Sequence, residues 1–121
     1  MSSPSPTYLD THLALEQIGD TDAMNGMLAM LQESLTRDIP LVAQLLGNGQ
    51  IVEANRVLHA LKGFVPIFCV ESLCAHVVQV EAQSKDSQST TIGAAYAALK
   101  PELEGLLEEV NAHLQQVDSG V

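Results

Sequence analysis

Apolar side chains along this chain recur at helical spacing, and their rhythm divides it into five segments. The clearest stripe, Met24, Leu28, Leu31, Leu35, Val42 and Leu45, steps mostly by three and four residues and predicts a helix reaching about Leu46. Asp20 and Asp22 stand at its start, where acids suit the positive helix end, and Pro40 is expected to kink it because the stripe resumes in phase. Gly47, Asn48 and Gly49 break the pattern. Ahead of it, Asp10 is placed to cap a short helix carrying Leu13, Ala14 and Ile18, which Gly19 closes.

A third helix is predicted from about Gln50 to about Val65, where Pro66 biases its predecessor away from helical backbone. A fourth, near Val70 to Lys85, places Val70, Leu73, Val77 and Val80 on one side. Residues 86–91, all small or polar, read as a turn. The last helix, about Thr90 to Val117, carries Ile92, Tyr96, Leu99, Leu103, Leu106, Val110 and Leu114, and Pro101 is expected to bend it. Four long amphipathic helices with short connections and a small helix in front predict an all-α, antiparallel up-down-up-down four-helix bundle over residues 8–118, after a flexible leader at 1–7.

Composition narrows the function. A length of 121 residues suits one domain, and 3% aromatics with no Trp favour helices over a sandwich or barrel. The net charge of −10 repels nucleic-acid phosphates and anionic lipid heads, so neither is expected as a partner. The start of the chain has no basic and apolar signal pattern and no run approaches a bilayer span, so a cytoplasmic location and a monomer are expected. Cys69 and Cys74 are five residues apart, which on one helix would point them about 140° apart, and both are expected to be reduced.

The chemistry narrows to one helix face. Of the four histidines, none has Glu three residues before it, as di-metal bundles require, and no metal site is expected; His12 beside Glu16 and His113 beside Glu109 read as solvated faces, and His76 as a partly buried packing residue. His59 differs. With His59 at 0° and about 100° per residue, Ile51, Ala54, Val57, Leu58, Leu61, Phe64 and Val65 centre near about 210°, so the imidazole points away from the core. Val52, Asn55, Arg56, Lys62, Gly63 and Pro66 share its side. Arg56 and Lys62 are two of only five basic residues, and Gly63, unfavourable inside a helix, leaves the next turn clear. An exposed imidazole, with an ordinary pKa near about 6.5, is a competent nucleophile toward a phosphoryl group. Spacing alone leaves open an ordinary surface histidine, a solvated Lys62 and a packing Gly63.

The run His59, Ala60, Leu61, Lys62, Gly63 resembles the H-x-L-K-G signature of histidine-containing phosphotransfer (HPt) domains, the modules that relay phosphoryl groups in multistep two-component signalling. Gly19 and Asp20 before a long helix, Gly49 before the histidine helix, and Leu73, Val80 and Glu81 after it also sit where that pattern has them, so the resemblance covers roughly 8–117. The chain departs from it at Phe64, Val65 and Pro66, where small residues are common, and at Cys69, where a glycine is.

The resemblance implies a four-helix bundle with His59 as phosphoacceptor at Nε2, Lys62 stabilising the phosphoryl group and Gly63 giving steric access. With a receiver as partner, the wheel makes the histidine's side of the helix, with Val52, Asn55, Arg56 and Pro66, the expected docking face. The implied partners are response-regulator receiver domains and a hybrid histidine kinase. No cofactor is expected on this chain, since Mg²⁺ belongs to the receiver, and it need not be an enzyme. The alternative is a helical protein-interaction module whose histidine is never phosphorylated.

Overall fold

In a computed structural model describing residues 7–86 and 89–119, the chain is all-helical. Five helices pack against one another: α1 (Thr11–Ile18), α2 (Thr21–Gly47), α3 (Ile51–Phe64), α4 (Glu71–Asp86) and α5 (Ser89–Ser119), with a 3-10 turn at Val65–Ile67. The starts of α1 and α2 follow from their caps. Asp10 accepts the Leu13 N–H at 3.0 Å and Asp20 the Ala23 N–H at 2.8 Å, each cap being worth about 1 kcal/mol. Gly19 ends α1 in the left-handed region at φ 82°, a conformation that costs other residues a Cβ clash.

The core stripe of α2 is Met24, Leu28, Leu31, Leu35, Ile39, Val42 and Leu46. Leu45, expected in the stripe, is only partly buried, because stepping on from Ile39 and Val42 brings Leu46 inward. Helix α2 continues through Pro40, and α5 through Pro101. Proline removes one backbone donor in each, and Pro40 and Pro101 are exposed, so water reaches those turns. Tyr96 of α5 donates from its hydroxyl to the Ile39 carbonyl at 2.8 Å, joining the two helices just before Pro40.

Three local expectations are corrected. Val65 is helical (φ −58°, ψ −40°) despite the following proline: its side chain is fully buried, and the chain turns into a 3-10 segment whose first positions need no N–H from Pro66. The expected turn at 86–91 contracts, since α4 runs to Asp86 and α5 starts at Ser89; residues 87–88, like residues 1–6 of the expected leader, lie outside the described residues. Cys69 and Cys74 do not diverge. Cys69 precedes α4 and pairs with Leu9 in an isolated antiparallel bridge, so helical geometry does not relate the two residues, and their sulfurs lie 2.8 Å apart.

Helix α2 packs along α5 and against α3, α3 packs on α4, and α4 on α5. The segment before α1 straps these pieces together. The Asp10 N–H donates to the Phe68 carbonyl at 2.7 Å and the Val70 N–H to the Tyr8 carbonyl at 2.8 Å. The Tyr8 and Leu9 N–H groups both donate to Glu109 of α5, at 3.2 and 3.1 Å. Phe68 is fully buried beneath the strap, with the Phe64 ring edge-on at 5.2 Å between centroids.

Gly105 of α5 is where the strap comes closest: a Cβ there would run into the Tyr8 ring. Glycine to alanine inside a helix ordinarily stabilises by about 1 kcal/mol. Gly105→Ala is expected to reverse that sign and destabilise by about 1–2 kcal/mol in denaturant unfolding, the cost of overpacking. Gly26→Ala in α2, where a Cβ meets nothing, is expected to stabilise. Equal effects at the two positions would mean that the strap yields freely.

Candidate functional site

His59 lies on α3 with two-thirds of its side chain exposed, opposite the buried Ala54, Leu58 and Leu61. The helix that carries it is held down by these apolar residues, so the imidazole is fixed at the surface by what lies behind it. Its Nδ1 faces Glu81 of α4, 3.7 Å from Oε2, too long for a hydrogen bond but close enough that a small ring rotation would form one. Among the described residues Nε2, on the other edge of the ring, has no hydrogen-bond partner.

Glu81 organises the site. Its side chain is only 1% exposed, yet it is fully partnered: Lys62 Nζ donates to Oε1 at 3.0 Å, Asn55 Nδ2 to Oε2 at 3.0 Å, and Lys85 Nζ stands 3.4 Å from Oε2. Ser84, also buried, donates to the Glu81 carbonyl at 2.6 Å and accepts from Asn55 at 2.7 Å. Burial pushes the Glu81 carboxyl upward, but the hydrogen bonds from Lys62 and Asn55 and the charges of Lys62 and Lys85 outweigh it and hold its pKa at about 2. The carboxylate is therefore ionised throughout the physiological range.

The charge balance around His59 follows. Two ammonium groups meet one carboxylate, leaving a net positive spot on a chain of net charge −10. Lys62 is about one-third exposed and Lys85 about half, so neither ammonium is sealed in by its contact with Glu81.

The other residues singled out by the sequence divide. Gly63 is exposed one turn beyond His59 and a Cβ there would touch nothing, so packing within the chain does not require glycine. Val52 is 68% exposed one turn further back than Arg56, an apolar surface on the histidine's side, and Pro66 is partly exposed at the helix end. Arg56 is exposed but leans on Glu53 of its own helix at 3.7 Å, so it and Lys62 do not converge. Asn55, expected on the open face, is turned into the α3–α4 seam and its amide is engaged there. Ser84 and Lys85 went unnoticed in the sequence; their spacing from Glu81, three and four residues, is the signal that places them beside it once α3 and α4 are known to be neighbours.

The remaining histidines are paired elsewhere. His76 is a quarter exposed and meets Glu102 of α5 at 2.5 Å. His12 is exposed and stands 3.9 Å from Glu16. His113, expected at the surface beside Glu109, is instead half-buried against Asn25 of α2 at 2.9 Å, while Glu109 serves the strap. Among the described residues no three His, Cys, Asp or Glu side chains gather as a metal site would need. No helix there is long and apolar enough to cross a membrane.

Two grooves lie between α2 and α5, lined by residues such as Asn25, Gln32 and Asn111, or Ala43, Tyr96 and Lys100, away from His59. The His59 site, with two-thirds of the imidazole exposed and open space at Gly63, is an open surface. It suits a partner that brings its own reactive group more than a small molecule that must be enclosed. Comparison with protein-family models, curated proteins and solved structures finds no match to this chain.

Proposed function

We propose that this chain is a histidine phosphotransfer protein, an antiparallel four-helix bundle that relays a phosphoryl group between receiver-domain aspartates, or from a hybrid histidine kinase to a response regulator, through His59. One observation carries the reading: an exposed imidazole whose Nδ1 faces a buried, ionised Glu81, with two lysines around that carboxylate and open space over Gly63. The helix contacts support the bundle. Helices α2 and α4 each touch both α3 and α5, as a ring of four would require, and the short α2–α3 and α3–α4 connections favour antiparallel neighbours.

In the forward step Nε2 attacks the phosphorus of a receiver's acyl phosphate. The N–P bond forms, the P–O bond breaks and the aspartate leaves as a carboxylate. Glu81 favours the tautomer with its proton on Nδ1, which leaves the lone pair on Nε2, and then stabilises the charge that develops on the ring. Lys62, with Lys85 replacing it at Glu81, offers charge to the transferred group. Mg²⁺ and the acids that assist the transfer come from the receiver, so the chain acts as a substrate of the exchange and not as an enzyme in its own right. Val52, Arg56, Pro66 and Gly63 make up the docking face, and a contact this small suits a transient encounter of monomers.

The test is incubation with receiver domains phosphorylated by acetyl phosphate. Acid-labile, base-stable label on this chain supports the reading, and an absence of label from every receiver favours an interaction module with an unphosphorylated histidine. Gly63→Gln adds bulk one turn from His59, where a Cβ meets nothing in the chain itself. Transfer from every receiver is expected to fall roughly tenfold or more, which corresponds to a barrier of about 1.4 kcal/mol, while the melting temperature holds or rises because Gln is the better helix former. Normal transfer in this variant would place the partner on another face.

A further inference from the structure

The proposal for His59 leaves one reactive cluster unused. Cys69 and Cys74 place their sulfurs 2.8 Å apart, about 0.8 Å beyond a disulfide bond length, so the two are within reach of each other for joining. Their hydrogen bonds form a consistent chain: the Cys74 thiol reaches the Cys69 carbonyl at 3.5 Å, and the Cys69 thiol can donate to the Cys74 sulfur. Burial, then the hydrogen bond to Cys74, raises the Cys69 pKa, which keeps the proton on Cys69 and makes it the donor. The two are not equally accessible. Cys69 is 1% exposed, whereas Cys74, in the first turn of α4, is partly exposed.

We propose that Cys69 and Cys74 are a redox modification site that hydroperoxides convert to an intrachain disulfide, with Cys74 as the attacking thiol and Cys69 as the resolving one. Cys74 sulfur attacks the peroxide oxygen: an S–O bond forms, the O–O bond breaks and water, or an alcohol from an organic hydroperoxide, leaves. Cys69 sulfur then attacks the resulting sulfenic acid. The S–S bond forms, the S–O bond breaks, and the hydroxyl departs as water with the Cys69 proton. Overall two thiols give two electrons and two protons to one hydroperoxide, which becomes water or alcohol plus a second water.

The position says what the bond would do. Cys69 is the bridge partner of Leu9, flanked by two of the hydrogen bonds that fasten the strap, and Val70, between the cysteines, accepts the first N–H groups of α4, those of Leu73 and Cys74. A disulfide therefore ties the strap junction directly to the start of the helix that carries Glu81. The loop it closes is short, so the bond constrains the unfolded chain less than a long-range bridge would, and its main effect falls on the joint it spans. Cys74 also lies two helical turns before Glu81 on the same side of α4, at the end of the seam that holds His59. This site does not depend on phosphotransfer and stands whether or not His59 is phosphorylated.

The experiment treats the folded chain with hydrogen peroxide and follows thiols by alkylation and mass spectrometry, with exposed Met30 as an internal gauge of ordinary oxidation. Both thiols are expected to disappear together, with loss of two hydrogens, no intermolecular dimer on a non-reducing gel, and full recovery in dithiothreitol. Cys69→Ala, which leaves no polar group in the core, should yield a dimedone adduct at Cys74. Cys74→Ala should leave Cys69 reduced. Independent loss of the two thiols, a dimedone adduct in the unsubstituted chain that never resolves, or Met30 oxidised to sulfoxide while both thiols survive would each overturn the proposal.

Discussion

His59→Gln is expected to abolish phosphoryl labelling while leaving helicity and melting behaviour nearly unchanged. The two halves of that expectation come from different facts. The side chain is two-thirds exposed and makes no hydrogen bond within range, so its loss falls among surface changes, about ±0.5 kcal/mol. Glutamine fills similar space and can still meet Glu81, but it has no nitrogen lone pair able to form a phosphoramidate. Residual label in His59→Gln would shift the acceptor to another histidine, with exposed His12 the first to examine, since His76 and His113 are already held by Glu102 and Asn25. Lys62→Ala separates the two lysines in the same assay. A modest slowing would mean that Lys85 takes over part of the charge, as its 3.4 Å approach to Glu81 allows.

Much of this arrangement was legible in the sequence because helices repeat. The apolar stripes of α2 to α5 fixed which face each helix buries, and that alone set His59 outward and left Gly63 beside it. What a single-helix wheel cannot supply is the identity of the neighbouring helix. Asn55 sits only about 40° from His59 on the wheel and reads as exposed, yet the approach of α4 turns it into the seam. Glu81 was visible only as a match to a family pattern; its burial as an ion depends on two residues of α3, Asn55 and Lys62, arriving with the right donors. The cysteines show the same limit from another side. A spacing of five was read with helical geometry, but Cys69 belongs to the bridge with Leu9, a contact sixty residues distant in sequence that no local pattern carries.

Glu81 should also leave a mark on the acid stability of the protein. Its carboxyl titrates at about 2 in the folded chain against an ordinary value of 4.5, so the unfolded chain binds the proton more readily. The contribution to stability is thus fully present above about pH 4.5 and is lost as the pH falls toward 2, because the proton gained on unfolding then favours the unfolded state. The charged and titratable groups that face it are Lys62, Lys85 and His59, and the titration that matters is that of the carboxylate they surround. Partial exposure of both lysines lets water screen the interaction, which reduces the expected effect to about 2 kcal/mol. Glu81→Gln keeps the shape but not the charge. Denaturant unfolding should find it less stable than the unsubstituted chain by about that amount at pH 7, with the difference shrinking toward zero as the pH approaches 2. Parallel stability curves for the two proteins would show that Glu81 is not held as an ion beneath His59, and the tautomer argument for Nε2 would fall with it.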